Sequence, residues 1–168
     1  MRSNICRVGM VLAGVGMVFI AKSGVSAQVS DEVKQKIAKA YAALDKSYSK
    51  KDTKAIFEVI TPDYTDKSHG KVENAEQWKK NVTETIAFMN TISAKTRIVK
   101  IKGDSKKIVA EVQVTVDAVT KPDPTGKTHK YHADVTESDT WVDVKGEWKF
   151  KMSETTKQVE TVDGKKSP

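Results

Sequence analysis

The chain has a single cysteine, Cys6, and this scarcity limits the chemistry that it can carry out. Cys6 lies in the first basic stretch of the sequence, ahead of the segments that are patterned for folding. A folded domain without cysteine has no disulfide, no zinc–thiolate site and no thiol nucleophile. We therefore expect its core to be held together by packing and hydrogen bonds alone.

Arginine is nearly as scarce, although the chain is basic, with 29 lysine and arginine residues against 22 acidic ones. The only arginines are Arg2, Arg7 and Arg97. Arginine reads phosphate and guanine through paired hydrogen bonds, whereas lysine is a hydrated point charge. The lysines alternate with acids along the chain, which is typical of a solvated surface. We therefore expect no nucleic-acid partner.

The few histidines do not form a metal site in this sequence. His129 and His132 are three residues apart on a predicted strand, so they face opposite sides of the sheet. His132 shares a face with Asp134, but that face is the outer one, and two ligands do not make a metal site. The sequence also has no phosphate loop, dinucleotide fingerprint or Ser-His-Asp order. We predict no metal and no cofactor.

Residues 1–27 have the pattern of a secretory signal peptide. Two arginines precede an uncharged, mostly apolar run over residues 8–21, and small residues follow at 25–27. The run is shorter than the roughly 20 apolar residues of a transmembrane helix, but an uncleaved membrane anchor remains the alternative. Cleavage near Ala27 predicts an exported protein, periplasmic or extracellular, without stable membrane insertion. The remaining chain divides into one domain, 28–162, and a flexible tail, 163–168.

The domain begins with helical patterns and continues with strand patterns. Ser30, Asp52 and Asn74 are each placed to cap a helix, and Gln77 completes a capping box with Asn74. From Ile92 onward the apolar period changes to two, and the apolar side chains of one strand recur at Ile108, Ala110, Val112, Val114 and Val116. Three helices followed by long strands predict an α+β domain, in which the helices pack on a strongly curved, mostly antiparallel sheet. Such a sheet is expected to leave a conical pocket at its open end.

Two stretches resemble the nuclear transport factor 2-like superfamily, and more closely its SnoaL-like group of small bacterial domains. DTWVDVKGEWKFKMSE, residues 139–154, is similar to the closing hairpin of that superfamily. KKDTKAIFEVITPDYTDKSHGKVENAEQW, residues 50–78, is similar to its second helix, first strand and third-helix start. The resemblance implies a cone-shaped, cystatin-like roll. It leaves function open, because this fold hosts isomerases, cyclases, dehydratases and non-catalytic binding modules.

The resemblance also implies candidate catalytic positions. Members similar to ketosteroid isomerase place a tyrosine on the first helix, a carboxylate base after the second helix and a protonated aspartate on a later strand. Tyr41, Asp66 and Asp139 occupy the corresponding places in this chain, although the segment around Asp66 lacks the acid–proline step of that enzyme type. A cyclase-like role would need a histidine–acid pair, and only His69 is near the right place.

Asp139 is the strongest candidate on the residues alone. A two-residue loop at Lys145 and Gly146 places Trp141 opposite Phe150. The same register predicts one inward face made of Asp139, Trp141, Asp143, Trp148, Phe150 and Met152, with Asp139 opposite Met152. A buried carboxylate costs free energy unless it is paired or protonated. It therefore acts on a ligand, ties the sheet to Tyr41, Tyr48 or Trp78, or is turned outward by a bulge. We predict a hydrogen bond to Tyr41 or Trp78 and a raised pKa.

The sequence supports two functions from different classes. The predicted ligand-binding residues are Tyr41, Tyr64, Asp66, Trp78, Tyr131, Glu137, Asp139 and Trp141. Among them only Asp139 is a strong candidate for acid–base chemistry. The set therefore favours an exported, single-domain binding or accessory protein for a small, mostly apolar ligand. We expect this protein to be a monomer or a dimer formed through the sheet. The alternative is an acid–base enzyme of the isomerase or cyclase type acting through Asp139, so whether the chain is an enzyme stays open.

Overall fold

A computed structural model describes residues 29–68 and 70–166 of the chain. The predicted signal segment, His69 and the last two residues lie outside this description. The helices are α1 (Asp31–Lys50), α2 (Thr53–Glu58) and α3 (Ala75–Phe88). The strands are β1 (Ile60–Ser68), β2 (Lys71–Asn74), β3 (Met89–Gly103), β4 (Lys107–Thr120), β5 (Lys130–Val144), β6 (Glu147–Val162) and β7 (Lys165–Lys166).

The three helices begin at the predicted caps. The Ser30 hydroxyl accepts a hydrogen bond from the Val33 amide, the Asp52 carboxylate accepts one from the Ala55 amide, and Asn74 forms a reciprocal capping box with Gln77. These side chains satisfy amide groups that the first helical turn leaves without partners. The predicted helix starts are therefore confirmed.

Two helix ends differ from those that the apolar pattern of the sequence predicts. The pattern TKAIFEVI predicts a second helix over residues 53–60, but α2 ends at Glu58, because Ile60 pairs with Phe150 at the start of β1. The register of β1 shifts between Ile60 and Thr65, the stretch that contains Pro62. Proline has no N–H group to donate, so an irregular stretch of a strand is where it fits best. The helical spacing of Met89 from Ile86 predicts that Met89 lies on the buried face of the third helix, but it is the first residue of β3.

The sheet is mixed and unclosed, with the strand order β2-β1-β6-β5-β4-β3, and β7 pairs with the end of β6. All neighbours are antiparallel except β1 and β6, which are parallel. The helices α1 and α3 pack on the sheet, and the predicted alternation of β4 is confirmed by the buried side chains of Ile108, Ala110 and Val112. The predicted α+β fold class is confirmed.

The core joins helix α1 to the hairpin of β5 and β6. The rings of Trp141 and Phe150 lie 3.8 Å apart between centroids, and Tyr41 meets Trp141 edge-on at 5.1 Å. Ile37, which lies one turn before Tyr41, is fully buried. Across the two described ranges, no helix has both the length and the apolar character needed to span a membrane.

Part of the predicted tail is ordered by contacts with the sheet. The Asp163 carboxylate accepts a hydrogen bond from the Lys130 amide at 2.9 Å, and β7 pairs with Thr161 and Val162. Residues 163–166, assigned from sequence to a flexible tail, therefore form a turn and a short strand. Residues 167–168 lie outside the described residues.

Candidate functional site

A cavity of about 450 Å³ lies between the helices and the inner face of the sheet. Its wall includes apolar side chains from both layers, among them Leu44, Val59, Ile86, Ile92, Val114 and Val135. Aromatic side chains are contributed by Tyr41, Tyr48, Tyr64, Trp78, Tyr131 and Phe150. Acidic side chains are contributed by Asp45, Asp66, Glu73, Glu137 and Asp139. Seven of the eight predicted ligand-binding residues line this cavity, and Trp141 is the exception.

Asp139 lies at the cavity with only 1% of its surface exposed. Its Oδ2 accepts a hydrogen bond from the Tyr41 hydroxyl at 2.7 Å, and its Oδ1 accepts one from the Ser153 hydroxyl at 2.6 Å. The Trp141 indole Nε1 donates to the Tyr41 oxygen at 2.9 Å. The predicted bond between Asp139 and Tyr41 is therefore confirmed, and the predicted inward position of Asp139 is correct.

The partner of Asp139 across the hairpin differs from the prediction. The loop at Lys145 and Gly146 has positive φ at both positions, as a type I′ turn requires. Pairing follows the predicted register up to Trp141 and Phe150 and then shifts, because a bulge adds one residue to β6. Asp139 consequently lies opposite Ser153 and not Met152. The predicted inward position of Met152 is wrong, because the bulge turns Ser153 inward in its place.

Trp141 supports the site from behind and does not line the cavity. Its side chain is fully buried, and its indole is in contact with the rings of Tyr41 and Phe150. The hydrogen bond that it donates to the Tyr41 oxygen leaves the Tyr41 proton directed at Asp139. Trp141 therefore orients the tyrosine and lies too deep to touch a molecule in the cavity.

Glu137 lies two residues from Asp139 on the same face of β5 and also lines the cavity. Within residues 29–68 and 70–166, no side chain or amide donates a hydrogen bond to its carboxyl group. Burial raises the pKa of Glu137 to about 8, and the negative charges of Asp139 and Asp66 add to this effect. At neutral pH Glu137 is therefore mainly a neutral acid that faces the cavity.

Asp139 has a lower pKa than Glu137, because two hydroxyl groups donate hydrogen bonds to its carboxylate. Burial raises the pKa of Asp139 to about 6, while the hydrogen bonds from Ser153 and Tyr41 stabilise the charged form and limit the rise. At neutral pH this neighbouring pair, which shares the cavity with three other acids, therefore consists of one carboxylate, Asp139, and one neutral carboxylic acid, Glu137. Two carboxyl groups in opposite protonation states are able to accept and donate a proton, respectively.

A second polar group is formed by strand β1 and the end of helix α1. The Tyr64 hydroxyl donates to Asp66 Oδ2 at 3.3 Å, and the Tyr64 ring meets the Trp78 ring edge-on at 5.0 Å. Tyr48 lines the cavity nearby, and burial together with the charges of Glu137 and Asp66 raises its pKa. No hydrogen bond from the Tyr48 hydroxyl to another described residue is present. Tyr48 and Glu137 are therefore both open to a partner inside the cavity.

The remaining predicted site residues lie at other parts of the cavity wall. Trp78 belongs to helix α3, and Tyr131 donates its hydroxyl proton to Glu160 at 2.7 Å.

His132 lies on the outer face, where its Nδ1 is 2.8 Å from Asp117, as the strand pattern predicted. Among the described residues, no group of three or more His, Cys, Asp or Glu side chains is arranged to hold a metal ion. His69 lies outside the described residues.

Comparisons with known proteins identify the fold. The sequence matches no protein-family model and no curated protein. A nuclear transport factor 2-like superfamily protein from Salmonella enterica is 19% identical, with a TM-score of 0.62 over 74% of this chain and 90% of that one. A candidate scytalone dehydratase from Novosphingobium aromaticivorans is 17% identical, with a TM-score of 0.64 over 76% and 86%. A protein with a cystatin-like fold from Nostoc punctiforme is 13% identical, with a TM-score of 0.60 over 84% and 96%.

The chain has the nuclear transport factor 2-like fold. The fold that the two sequence stretches implied is therefore confirmed. At such low identity the likeness concerns the fold alone, so the chemistry of this nuclear transport factor 2-like domain must be argued from its own cavity.

Two polar residues that line the cavity, Ser153 and Tyr48, were not predicted from the sequence as ligand-binding residues. Ser153 was not a candidate, because a hairpin without the bulge in β6 would place it on the outer face of the sheet. Tyr48 shares an apolar stripe of α1 with Ile37 and Tyr41, a position typical of core packing, and so was not among the predicted ligand-binding residues. Its place in that stripe indicates that Tyr48 faces inward. That an open cavity lies beside it depends on the tertiary structure and could not be predicted from the stripe.

Proposed function

We propose that this chain is an exported binding protein that encloses a small, mostly apolar organic molecule in its cavity. A volume of about 450 Å³ lies within the range of pockets that bind small molecules, roughly 300–1,000 Å³. Apolar walls with a few polar groups are typical of such pockets, because the walls supply binding free energy and the polar groups set orientation. Export is supported by the basic start, apolar run and small-residue end of residues 1–27.

The observation that carries the proposal is the state of Glu137 and Tyr48. Both face the cavity, and neither forms a hydrogen bond with another residue that the structure describes. Both side chains are partly exposed and their polar atoms are not fully buried, so water in the cavity is their available partner. A structural role would have supplied partners from the chain itself, as it does for Asp139. A ligand that displaces this water would supply the hydrogen bonds in its place.

A cavity-filling variant tests the proposal. Ala94 lines the cavity from β3, and its neighbour Ser93 is exposed on the opposite face of the same strand. A fragment library is screened by thermal shift and by tryptophan fluorescence against the wild type, Ala94→Phe and Ser93→Phe. We expect wild-type binders to lose affinity for Ala94→Phe and to keep it for Ser93→Phe. A library without any binder, or binders that tolerate Ala94→Phe, would refute the proposal.

The second candidate function is acid–base catalysis, favoured by the opposite protonation states of Asp139 and Glu137. Asp139 is placed to act as the base and Glu137 as the acid on one molecule, and each group would have a pKa near neutrality, as efficient proton transfer requires. The similar fold of a candidate scytalone dehydratase supports this second function.

Ligand turnover separates the two functions. A binder from the screen is incubated with the wild type in deuterated water and followed by mass spectrometry. A catalyst exchanges carbon-bound hydrogen or changes the mass of the compound, whereas a binding protein returns it unaltered. If the chain is an enzyme, Asp139→Asn should abolish the change in the compound. If the chain only binds, the compound is returned unaltered by both the wild type and Asp139→Asn.

A further inference from the structure

We propose that the ligand of this cavity is a small organic cation, an amine with an apolar or aromatic body, and that Glu137 is the counter-ion of its ammonium group. The inference rests on the proposed binding function and specifies its ligand class.

The charges around the cavity all have one sign. Five acidic residues line it: Asp45, Asp66, Glu73, Glu137 and Asp139. In the described part of the chain, no lysine, arginine or histidine lines it, although the sequence has 29 lysine and arginine residues. A cavity that selects an anionic ligand would place one of these cations in its wall. The distribution of charge therefore favours a cationic ligand and disfavours an anionic one.

Some of these acids already have partners within the protein, and Glu137 does not. Asp45 accepts two hydrogen bonds from Thr96, at 2.7 and 2.9 Å, and Glu73 accepts two from Asn81. Asp139 accepts from Tyr41 and Ser153. Glu137 is a half-buried acid of the cavity that lies among other negative charges and accepts no hydrogen bond from the described residues. It is therefore the group that a ligand ammonium would satisfy.

The aromatic side chains of the cavity wall suit the body and the charge of such a ligand. The rings of Tyr64 and Trp78 lie 5.0 Å apart, and Tyr64 and Phe150 lie 6.5 Å apart, each pair edge-on. Aromatic faces attract cations, and they attract them more strongly where water is excluded. The Tyr48 hydroxyl is an additional acceptor for an ammonium N–H group. An amine with an apolar body would satisfy the carboxyl, the hydroxyl and the rings together.

The arrangement favours an organic cation over a metal ion. A metal ion needs several oxygen ligands within about 2.0–2.6 Å of one point. Across the described residues, no three acidic or histidine side chains converge in this way. An ammonium group is satisfied by one carboxylate, a hydroxyl and an aromatic face, and the wall of this cavity supplies all three.

Binding of an amine is expected to release a proton from Glu137. The titratable groups that face Glu137 are Tyr41 and Tyr48 from α1, Tyr64 and Asp66 from β1, and Asp139 from β5. All of them are neutral or negative, so no group of the described protein stabilises the ionised form of Glu137. A bound ammonium would do so, and the pKa of about 8 would then fall. The affinity for an amine should therefore rise with pH until Glu137 is ionised in the free protein.

Three probes with the same phenyl body test the charge preference. They are 2-phenylethylamine, 2-phenylethanol and phenylacetate, which are cationic, neutral and anionic between pH 6.5 and pH 9. Affinities are measured by isothermal titration calorimetry with the wild type, Glu137→Gln and Glu111→Gln. Glu111 is exposed on β4, so its substitution removes the same charge from outside the cavity.

We expect the wild type to bind the amine about tenfold or more tightly than the alcohol at pH 8, and phenylacetate most weakly. Below pH 8 the amine affinity should rise about tenfold for each pH unit, while the alcohol affinity stays constant. Glu137→Gln should bind amine and alcohol equally and lose the pH dependence, and Glu111→Gln should behave as the wild type.

The possible failures are distinguishable. Equal affinities of the wild type for amine and alcohol, or a preference that survives in Glu137→Gln, would overturn the inference and leave the binding function standing. The inference would also be overturned, with the binding function left standing, if none of the three probes binds while other neutral or anionic fragments bind in the cavity-filling screen. Failure of every compound in both experiments would overturn the inference and the proposed function together.

Discussion

Substitution of Glu137 by glutamine is expected to stabilise the protein at high pH. The pKa of Glu137 lies at about 8 in the folded state instead of 4.5, a difference of 3.5. At about 1.4 kcal/mol for each unit of pKa, ionisation of Glu137 would cost up to about 5 kcal/mol of folding free energy. Water in the open cavity screens part of this cost. Glutamine has nearly the same shape and no charge, so the variant avoids the cost.

The sign of the pH dependence follows from the two pKa values. The unfolded chain ionises Glu137 at a lower pH than the folded protein does, so ionisation favours unfolding. The free energy of unfolding should therefore fall as pH rises from about 4.5 to about 8 and stay flat above. Between pH 6 and pH 9 we expect a fall of about 1–2 kcal/mol in the wild type that is absent in Glu137→Gln. Asp139 contributes mainly below this window, because its pKa is about 6.

The measurement is urea unfolding followed by tryptophan fluorescence at pH 6, 7, 8 and 9. His132 also titrates in the wild type with a raised pKa, because of its hydrogen bond to Asp117, but the difference between two variants removes its contribution. Glu111→Gln is the control, since it removes an exposed charge from the opposite face of the sheet. A wild type and a Glu137→Gln variant with parallel pH profiles would show that Glu137 is hydrated and would refute the reasoning.

Three further predictions concern the hairpin, the carboxylate network and processing. Trp141→Ala should lower the free energy of unfolding by about 3–5 kcal/mol, and Trp148→Ala by less, because Trp148 is only half-buried; equal losses in urea unfolding would contradict this. Ser153→Ala should cost about 1–3 kcal/mol and raise the pKa of Asp139, since it removes a donor to the carboxylate; an unchanged NMR titration of Asp139 would argue against it. The exported protein should begin at Gln28 by intact mass, and a full-length mass in the soluble exported fraction would rule out cleavage.

Local features of the sequence were sufficient to predict most elements of the fold. Ser30, Asp52 and Asn74 cap helices through hydrogen bonds that span only three residues, so their effect can be read without the rest of the chain. The alternation of β4 reflects one buried and one solvated face. The loop at Lys145 and Gly146 set the first part of the hairpin register. The inward position of Asp139 followed from that register, and the cost of burying it predicted a bond to Tyr41 or Trp78, of which the structure shows the bond to Tyr41.

Only the tertiary structure decided the composition of the cavity. The bulge in β6 turns Ser153 towards Asp139, and nothing local in the sequence marks where the extra residue falls. The same is true of Trp141, whose aromatic ring suits a cavity wall and the core equally well. The raised pKa of Glu137 depends first on burial by other segments, then on the charge of Asp139 in the same strand and on that of Asp66 from β1. Sequence patterns report forces between near neighbours in the chain, whereas the cavity and its protonation states arise from contacts between segments far apart in it.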